Sequence, residues 1–330
     1  MSVDPAIISA LGLDPSRTKI SLHGGSGFAS SFRISTTPSD SSRPSSYFVK
    51  TGSGVRAEVM FRGEHASLNA IHDAVPTLCP KSYAHGPMTS SRGEHFLATD
   101  FIDMSGPSAS DGSDSGSGES LASKLARLHT TPAPIPEGYD KPMYGFPVTT
   151  CCGETPQDNS FTESWADFYA ENRLLSASRA AMRNHGTDDE FGRVVERTAS
   201  EVVPRLIGHG RVKGMKPVII HGDLWNGNHG RGIVGGVGGR EEVVFDPSAV
   251  YGHSEYELGI MNMFGGFGRS FWSEYEKLVP KAEPKDEWAD RVLLYELYHH
   301  LNHFAIFGGG YRSGAMSIMR KLLARYGDRG

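Results

Sequence analysis

Val218-Ile219-Ile220-His221-Gly222-Asp223-Leu224-Trp225-Asn226-Gly227-Asn228 is the stretch on which the reading of this chain turns. Its first three residues are a short apolar run, which predicts a buried strand. The run stops at His221-Gly222, and polar or conformationally free positions follow. A rigid strand that hands over to a polar loop delivers reacting groups to a defined place.

The spacing His-x-Asp-x-x-x-x-Asn is that of a phosphoryl-transfer loop, with the aspartate as base and the asparagine as metal ligand. Such chemistry needs other parts: a loop that cradles phosphates, a lysine, a carboxylate to hold the lysine, and a second acid for the metal.

Composition sets the bounds. At 330 residues the chain is long for one core and ample for two lobes. A net charge of -5, from 33 basic and 38 acidic residues without a basic block, argues against a nucleic-acid partner. Cys79, Cys151 and Cys152 make no disulfide framework, which favours a reducing compartment. Met1 to Leu13 carries Asp4 and no basic residue, so it lacks a secretory pattern. No apolar run approaches the ~20 residues that span a bilayer. The expectation is a cytoplasmic protein with no membrane partner and an oligomeric state that the sequence leaves open.

Near the N-terminus, Ile20–His23 and Ser30–Ile34 read as strands around Gly24-Gly25-Ser26-Gly27-Phe28-Ala29. The tip of such a hairpin can turn backbone N–H groups toward phosphates, or it can be an ordinary glycine-rich turn. Tyr47-Phe48-Val49-Lys50 reads as a strand that ends in a lysine suited to nucleotide phosphates. A helix over 58–71 offers Glu58 and Glu64 as its partner, and Glu64 is the choice. Glu94 to Met104 reads as a strand that runs into a hinge, with the backbone of Asp100, Phe101 and Ile102 facing an adenine edge. The Ser/Gly-rich stretch 105–118 has almost no apolar residue and reads as a flexible insertion. Residues 1–104 are therefore expected to form one lobe and 105–330 the other.

The second part reads as helical. Apolar residues recur at helical spacing after Leu121, over 161–184 and 189–209, and through the closing third. Val243-Val244-Phe245 is a strand that ends at Asp246, one hairpin beyond the opening stretch. Asn228 and Asp246 would then supply oxygen ligands for Mg²⁺, and Asp223 the base. His221 is expected to hold the loop by hydrogen bonding. The resulting fold class is α+β: a protein-kinase-like bilobal fold with an antiparallel sheet and one helix, then a mainly helical lobe.

At this point the motifs resemble a known family. His221-Gly222-Asp223-Leu224-Trp225-Asn226-Gly227-Asn228 resembles the loop of the fructosamine/ketosamine-3-kinases. Asp246-Pro247-Ser248-Ala249-Val250-Tyr251-Gly252-His253-Ser254-Glu255-Tyr256-Glu257-Leu258 is similar to their second signature. Met263–Phe267, Leu294–His303, Phe48-Val49-Lys50 and Met60–Glu64 also match. The resemblance covers about Gly24 to Leu323. It implies an aminoglycoside-phosphotransferase-like fold and use of ATP with Mg²⁺. It also implies phosphorylation of the 3-hydroxyl of ketosamines, free or on protein lysines, which leads to deglycation.

The sequence departs from the family in three places: the glycine loop has no cysteine, the hinge reads Thr99-Asp100, and the 105–118 insertion is long. Several alternatives stay open. One alternative takes an aminoglycoside or an amino alcohol as the acceptor, and another is an inactive kinase-like binding module. Trp225 either stacks on a sugar or packs under the loop. Glu255 either faces the substrate amine or, like Glu257, caps the following helix and holds the loop backbone. His299 and His303, one helical turn apart, read as packing rather than as a zinc site.

Overall fold

The computed structural model describes residues 2–26, 29–37, 45–105 and 118–328. Helix α1 (Pro5–Leu11) starts at Asp4, whose carboxylate accepts the Ala6 N–H, and stops at Gly12 with φ 62°. Strands β1 (Thr18–Ser26), β2 (Ala29–Thr36) and β3 (Ser45–Ser53) follow, then α2 (Gly54–Ala74). Next are β4 (Ser82–Pro87), β5 (Glu94–Asp100) and the short β6 (Ile102–Asp103). The first five strands make one sheet in the order β1-β2-β3-β5-β4, antiparallel at every pairing. Buried Ile34, Val49, Phe96 and Ala98 close its core with Ile7 of α1. Phe61 of α2 packs with Ala57 and Leu97.

Helix α3 (Leu121–Thr130) leads to the hairpin β7 (Thr150–Cys152) and β8 (Thr155–Gln157). Helices α4 (Trp165–Phe168) and α5 (Ser176–His185) are joined by a π-helical turn, Tyr169–Leu175. A second such turn, Thr198–Val202, joins α6 (Asp189–Arg197) to α7 (Val203–Ile207). The expected helix over 161–184 starts later because Thr162 is bridged to Tyr144 and the Ser164 hydroxyl caps the Asp167 N–H. Within the π-turn, Arg173 is fully buried and donates to the Asp158 carbonyl and to Asn159 Oδ1.

Strand β9 (Val218–Ile220) precedes the polar loop. Beyond it lie β10 (His229–Val234), β11 (Glu241–Val244) and β12 (Val250–Gly252). The chain closes with α8 (Glu255–Phe264), α9 (Arg269–Leu278), α10 (Trp288–Phe307) and α11 (Tyr311–Tyr326). Helix α10 is buried along most of its length, against α5, α8 and α11.

By compactness the chain falls into two units, Met1–Leu125 with Gly227–Ser248, and Ala126–Asn226 with Ala249–Gly330. The sequence reading divides the chain at 104 and leaves 227–248 with the helices. That segment groups with the sheet because β10 pairs with β6 and the Val244 N–H donates to the Leu78 carbonyl. The fully buried Lys124 adds a tie, donating to Glu241 Oε2 and to the carbonyls of Thr77 and Glu242. Most of the expected insertion, 106–117, lies outside the described residues. The hairpin β7–β8 and strands β4 and β12 are elements that periodicity did not show, since each is short.

Close approach of α8 to α10 depends on Gly259. A Cβ there would lie 2.7 Å from the Glu296 nitrogen and 2.7 Å from the Tyr295 carbonyl carbon. Gly259→Ala is expected to destabilise the protein by about 1–3 kcal/mol, because the obstruction is backbone that cannot rotate away. Thermal unfolding of the two proteins checks this.

Candidate active site

In the first unit the decisive position is Lys50, on a central strand between β2 and β5, where it pairs with Ser31 and Leu97. Its Nζ lies 2.7 Å from Glu64 Oε1 on α2 and 2.7 Å from Asp246 Oδ1. The Lys50 and Glu64 side chains are 15% and 11% exposed, whereas Asp246 is 51% exposed. Burial disfavours the ammonium, but the carboxylates of Glu64 and Asp246 outweigh it and push the Lys50 pKa up. The lysine is therefore a fixed cation between two acids, one of them open to solvent.

Asp246 reaches that place through β10 and β11. The two strands pair from His229↔Val244 outward, and at their base the Phe245 N–H donates to the Asn228 carbonyl at 3.0 Å. The hairpin thus returns the chain beside Asn228. Asp246 itself has φ 57°, a left-handed conformation that costs a non-glycine residue free energy. Aspartate tolerates it better than most, and the ion pair with Lys50 holds it there.

The glycine hairpin lies at the tip of β1 and β2. A bulge between Leu22 and Gly24 precedes it, and Gly25 and Ser26 pair with Ser30 and Ala29. Gly27 and Phe28 lie outside the described residues. At the expected hinge, part of the backbone is paired within the unit. The Phe101 N–H donates to the Ser46 carbonyl, the Phe101 carbonyl accepts the Gly235 N–H, and Ile102 is paired with Val234. The Asp100 carboxylate accepts from the Tyr83 hydroxyl and the Lys81 N–H, tying β5 to β4.

In the second unit, β9 is wholly buried and paired with β12, Ile220 opposite Val250. Where the strand ends, the His221 and Gly222 N–H groups donate to the two oxygens of Glu257, at 2.6 and 3.0 Å. Glu257 is fully buried in the first turn of α8, with His129 Nε2 3.6 Å from its Oε2. Gly222 takes φ 81°, and the Asp223 N–H donates back to His221 Nδ1 at 3.3 Å. The Glu257 carboxylate and His221 Nδ1 thus accept the first three N–H groups of the loop. The turn leaves Asp223 half-buried.

Glu255 departs from the reading that sets it against a substrate amine. Its carboxylate accepts from Arg291 Nε at 2.7 Å, Arg291 Nη2 at 3.0 Å and the Ala282 N–H at 3.2 Å. It is a buried ion-pair partner that ties α8 to α10. Trp225, by contrast, is 40% exposed, with its ring 5.8 Å from that of Phe264. His303 Nδ1 bonds to the His299 carbonyl, and the His299 ring lies against Tyr256 and Tyr298, so both histidines serve packing.

Sequence reasoning missed Cys152, whose buried thiol lies 3.9 Å from Asp223 Oδ1, and Arg291, the buried partner of Glu255. A separation of 71 positions leaves no local signal for the first. The second was open to charge arithmetic, because a buried glutamate needs a cation.

The sheet with its lysine and acid, the strand-borne polar loop and the hairpin that ends in a second acid are the parts of a protein-kinase-like phosphotransferase fold. Solved structures share that fold. A candidate fructosamine-3-kinase from Thermobifida fusca superposes with a TM-score of 0.72 at 24% identity, covering 98% of this chain and 99% of that one. An aminoglycoside phosphotransferase in complex with ADP and hygromycin B gives 0.56 at 12% identity over 97% and 98%. The family model described as fructosamine kinase matches residues 15–325. The ketosamine-3-kinase of Mus musculus is 33% identical over 83% of this chain and 87% of its own length. The chloroplastic protein-ribulosamine 3-kinase of Oryza sativa subsp. japonica is 34% identical over 96% and 86%. The chain belongs to the fructosamine kinase family and is a kinase.

Two expectations follow from the loop's supports. Glu257→Gln leaves one buried N–H of the loop without an acceptor and is expected to cost about 1–3 kcal/mol of stability, read by denaturant unfolding. His253, buried beside Tyr295, is the second. Burial lowers its pKa from 6.5 to about 4, with Glu255 opposing and Arg291 assisting. The unfolded chain therefore binds a proton that the folded chain refuses between those values. His253's contribution to stability is full above pH 6.5 and is lost as pH falls toward 4. His253→Gln is expected to flatten the fall in melting temperature across that window.

Proposed function

We propose that this kinase transfers the γ-phosphoryl group of ATP to the 3-hydroxyl of a ketosamine, a ribulosamine or fructosamine adduct of lysine. Four groups would carry the reaction. Lys50, fixed by Glu64, neutralises phosphate charge. Asp223 orients the acceptor hydroxyl and takes its proton. Asn228 and Asp246 offer oxygen donors to Mg²⁺. The observation that carries the reading is Lys50 clamped between Glu64 and Asp246, because a phosphoryl transfer runs mainly on positioned charge.

The donor set suits magnesium. One oxygen of Asp246 serves Lys50, and among the described residues the other has no hydrogen-bond partner. Asn228 sits beside it across the hairpin base. Carboxylate and amide oxygens are the ligands that this hard cation takes. When bound, Mg²⁺ supplies charge neutralisation across the nucleotide phosphates.

Asp223 has the means to act as a base. The loop N–H groups around it are committed to Glu257 and His221, so its backbone is fixed before substrate arrives. General-base assistance of this kind is worth roughly 10²–10⁴ in rate. Two residues on, the exposed Trp225 ring offers an apolar face to a sugar. The resulting 3-phosphate would make the adduct prone to decompose and free the amine, and the cytoplasm is the proposed setting.

The test is an acceptor panel with ATP and Mg²⁺: ribulosyl-lysine, fructosyl-lysine, an aminoglycoside and choline. ADP release is expected with the two ketosamines. Release only with an aminoglycoside or choline would replace the acceptor class, and release with none would favour a binding module. Asp223→Asn is expected to lower kcat by roughly 10²-fold or more while nucleotide affinity is kept. Unchanged turnover would remove Asp223 as the base.

A further inference from the structure

Bonds to the loop N–H groups fix the backbone at Asp223 but do not set the plane of its carboxylate. The terminal torsion of an aspartate is broad, so a carboxylate meant for one particular proton needs a contact that orients it. Such a contact comes from a strand remote in sequence. Cys152 closes β7 and is 1% exposed, and its Sγ lies 3.9 Å from Asp223 Oδ1, within reach of an S–H···O hydrogen bond.

Cys152 is itself held by its surroundings. Its backbone pairs with Thr155 across the β7–β8 hairpin, and its carbonyl accepts from Asn302 Nδ2 on α10 at 3.1 Å. Thr150, two residues back, shares the buried face of the strand. From Thr150 the donors run in one direction. Its hydroxyl donates to Gln157 Oε1 at 2.9 Å, and Gln157 Nε2 donates to the Tyr298 hydroxyl at 2.6 Å. The Tyr298 hydroxyl in turn bonds to the Cys152 sulfur, and the thiol donates to Asp223. Burial, and after it the charge of Asp223, push the Cys152 thiol well above its ordinary value, against the Tyr298 hydrogen bond. The group therefore stays S–H at neutral pH and serves as a donor, not as a nucleophile.

We propose that Cys152 is a positioning residue for the kinase reaction: its thiol, aimed by the Thr150–Gln157–Tyr298 chain, donates to Asp223 and sets the plane in which that carboxylate meets the acceptor hydroxyl. This rests on the reading of Asp223 as the base and adds the group that orients it. A weak donor suits the task. A lysine at this place would bind the carboxylate strongly and weaken it as a proton acceptor, whereas a thiol directs it at little cost in basicity.

Two readouts test this. The first is the S–H stretching band of Cys152 in the infrared, isolated in each background by difference against Cys152→Ala. A thiol that donates to a carboxylate absorbs at lower frequency than one that does not. Asp223→Ala, a change at a half-buried position, is expected to move the band up, and an unmoved band would overturn the contact. This readout needs no substrate. The second is steady-state kinetics with ATP, Mg²⁺ and ribulosyl-lysine. Cys152→Ala is expected to lower kcat about fivefold to tenfold and to leave both KM values within about twofold, since only the step that Asp223 serves is affected. In the Asp223→Ala background the same substitution should change kcat by less than about twofold, because a residue that acts through Asp223 has nothing left to act on. Cys151→Ala, at the half-buried neighbour on the opposite face of the strand, should stay within about twofold of the unaltered protein. Equal fold losses in both backgrounds would make Cys152 a packing residue and overturn the proposal. Unchanged kcat in Asp223→Ala would remove the base and the proposal with it. No turnover of ribulosyl-lysine by the unaltered protein would overturn the ketosamine reading, while the band shift still decides the contact.

Discussion

The Glu257 carboxylate takes the first two N–H groups of the polar loop in a place that water does not reach. A strand that ends at a loop has N–H groups with no ladder to enter, and here the strand is three residues long with β12 as its ladder. Those donors need a buried acceptor or the loop would wander. A charged acceptor is stronger than a neutral one, and the first turn of α8 favours its negative charge. Because α8 is in turn packed on α10, the conformation of the loop is inherited from the helical core. The Glu255–Arg291 pair, two residues earlier in the same turn, locks α8 to α10 with a bidentate contact.

The first unit solves a related problem with charge of both signs. A lysine on a central strand would ordinarily be costly when mostly buried. Two carboxylates remove that cost, and the more exposed of them is aimed by a left-handed residue at the end of a hairpin. Strain at Asp246 and attraction to Lys50 therefore oppose each other, and the side chain stays where the ion pair holds it. Both units thus keep their reactive groups in place with partners that are remote in sequence.

Much of this was legible beforehand because its signals are local or ordered. The His221–Asn228 spacing, the strand before Lys50 and the strand before Asp246 each announce themselves within a dozen residues. Their order along the chain turns weak signals into a fold. Glu64 was chosen over Glu58 on the same helix, and Lys50 lies 2.7 Å from its Oε1. What stayed hidden depends on contacts without local pattern. The Cys152 thiol beside Asp223, the commitment of Glu255 to Arg291 and the self-pairing of the Phe101 backbone all arise from tertiary packing.

The division of the chain into units has a consequence for how the protein is made. Neither unit is a continuous segment, since Gly227–Ser248 belongs with the residues before 125. Lys50 waits 196 positions for Asp246, and Lys124 waits 117 for Glu241. A nascent chain emerging N-terminus first therefore exposes the sheet with Lys50 held by Glu64 alone, and α3 with Lys124 lacking Glu241, until most of the protein has been synthesised. Such a chain carries a high entropic cost of loop closure and folds late rather than piece by piece. A fragment cut after α3 would hold every residue of the sheet and still lack the hairpin that completes its charge balance.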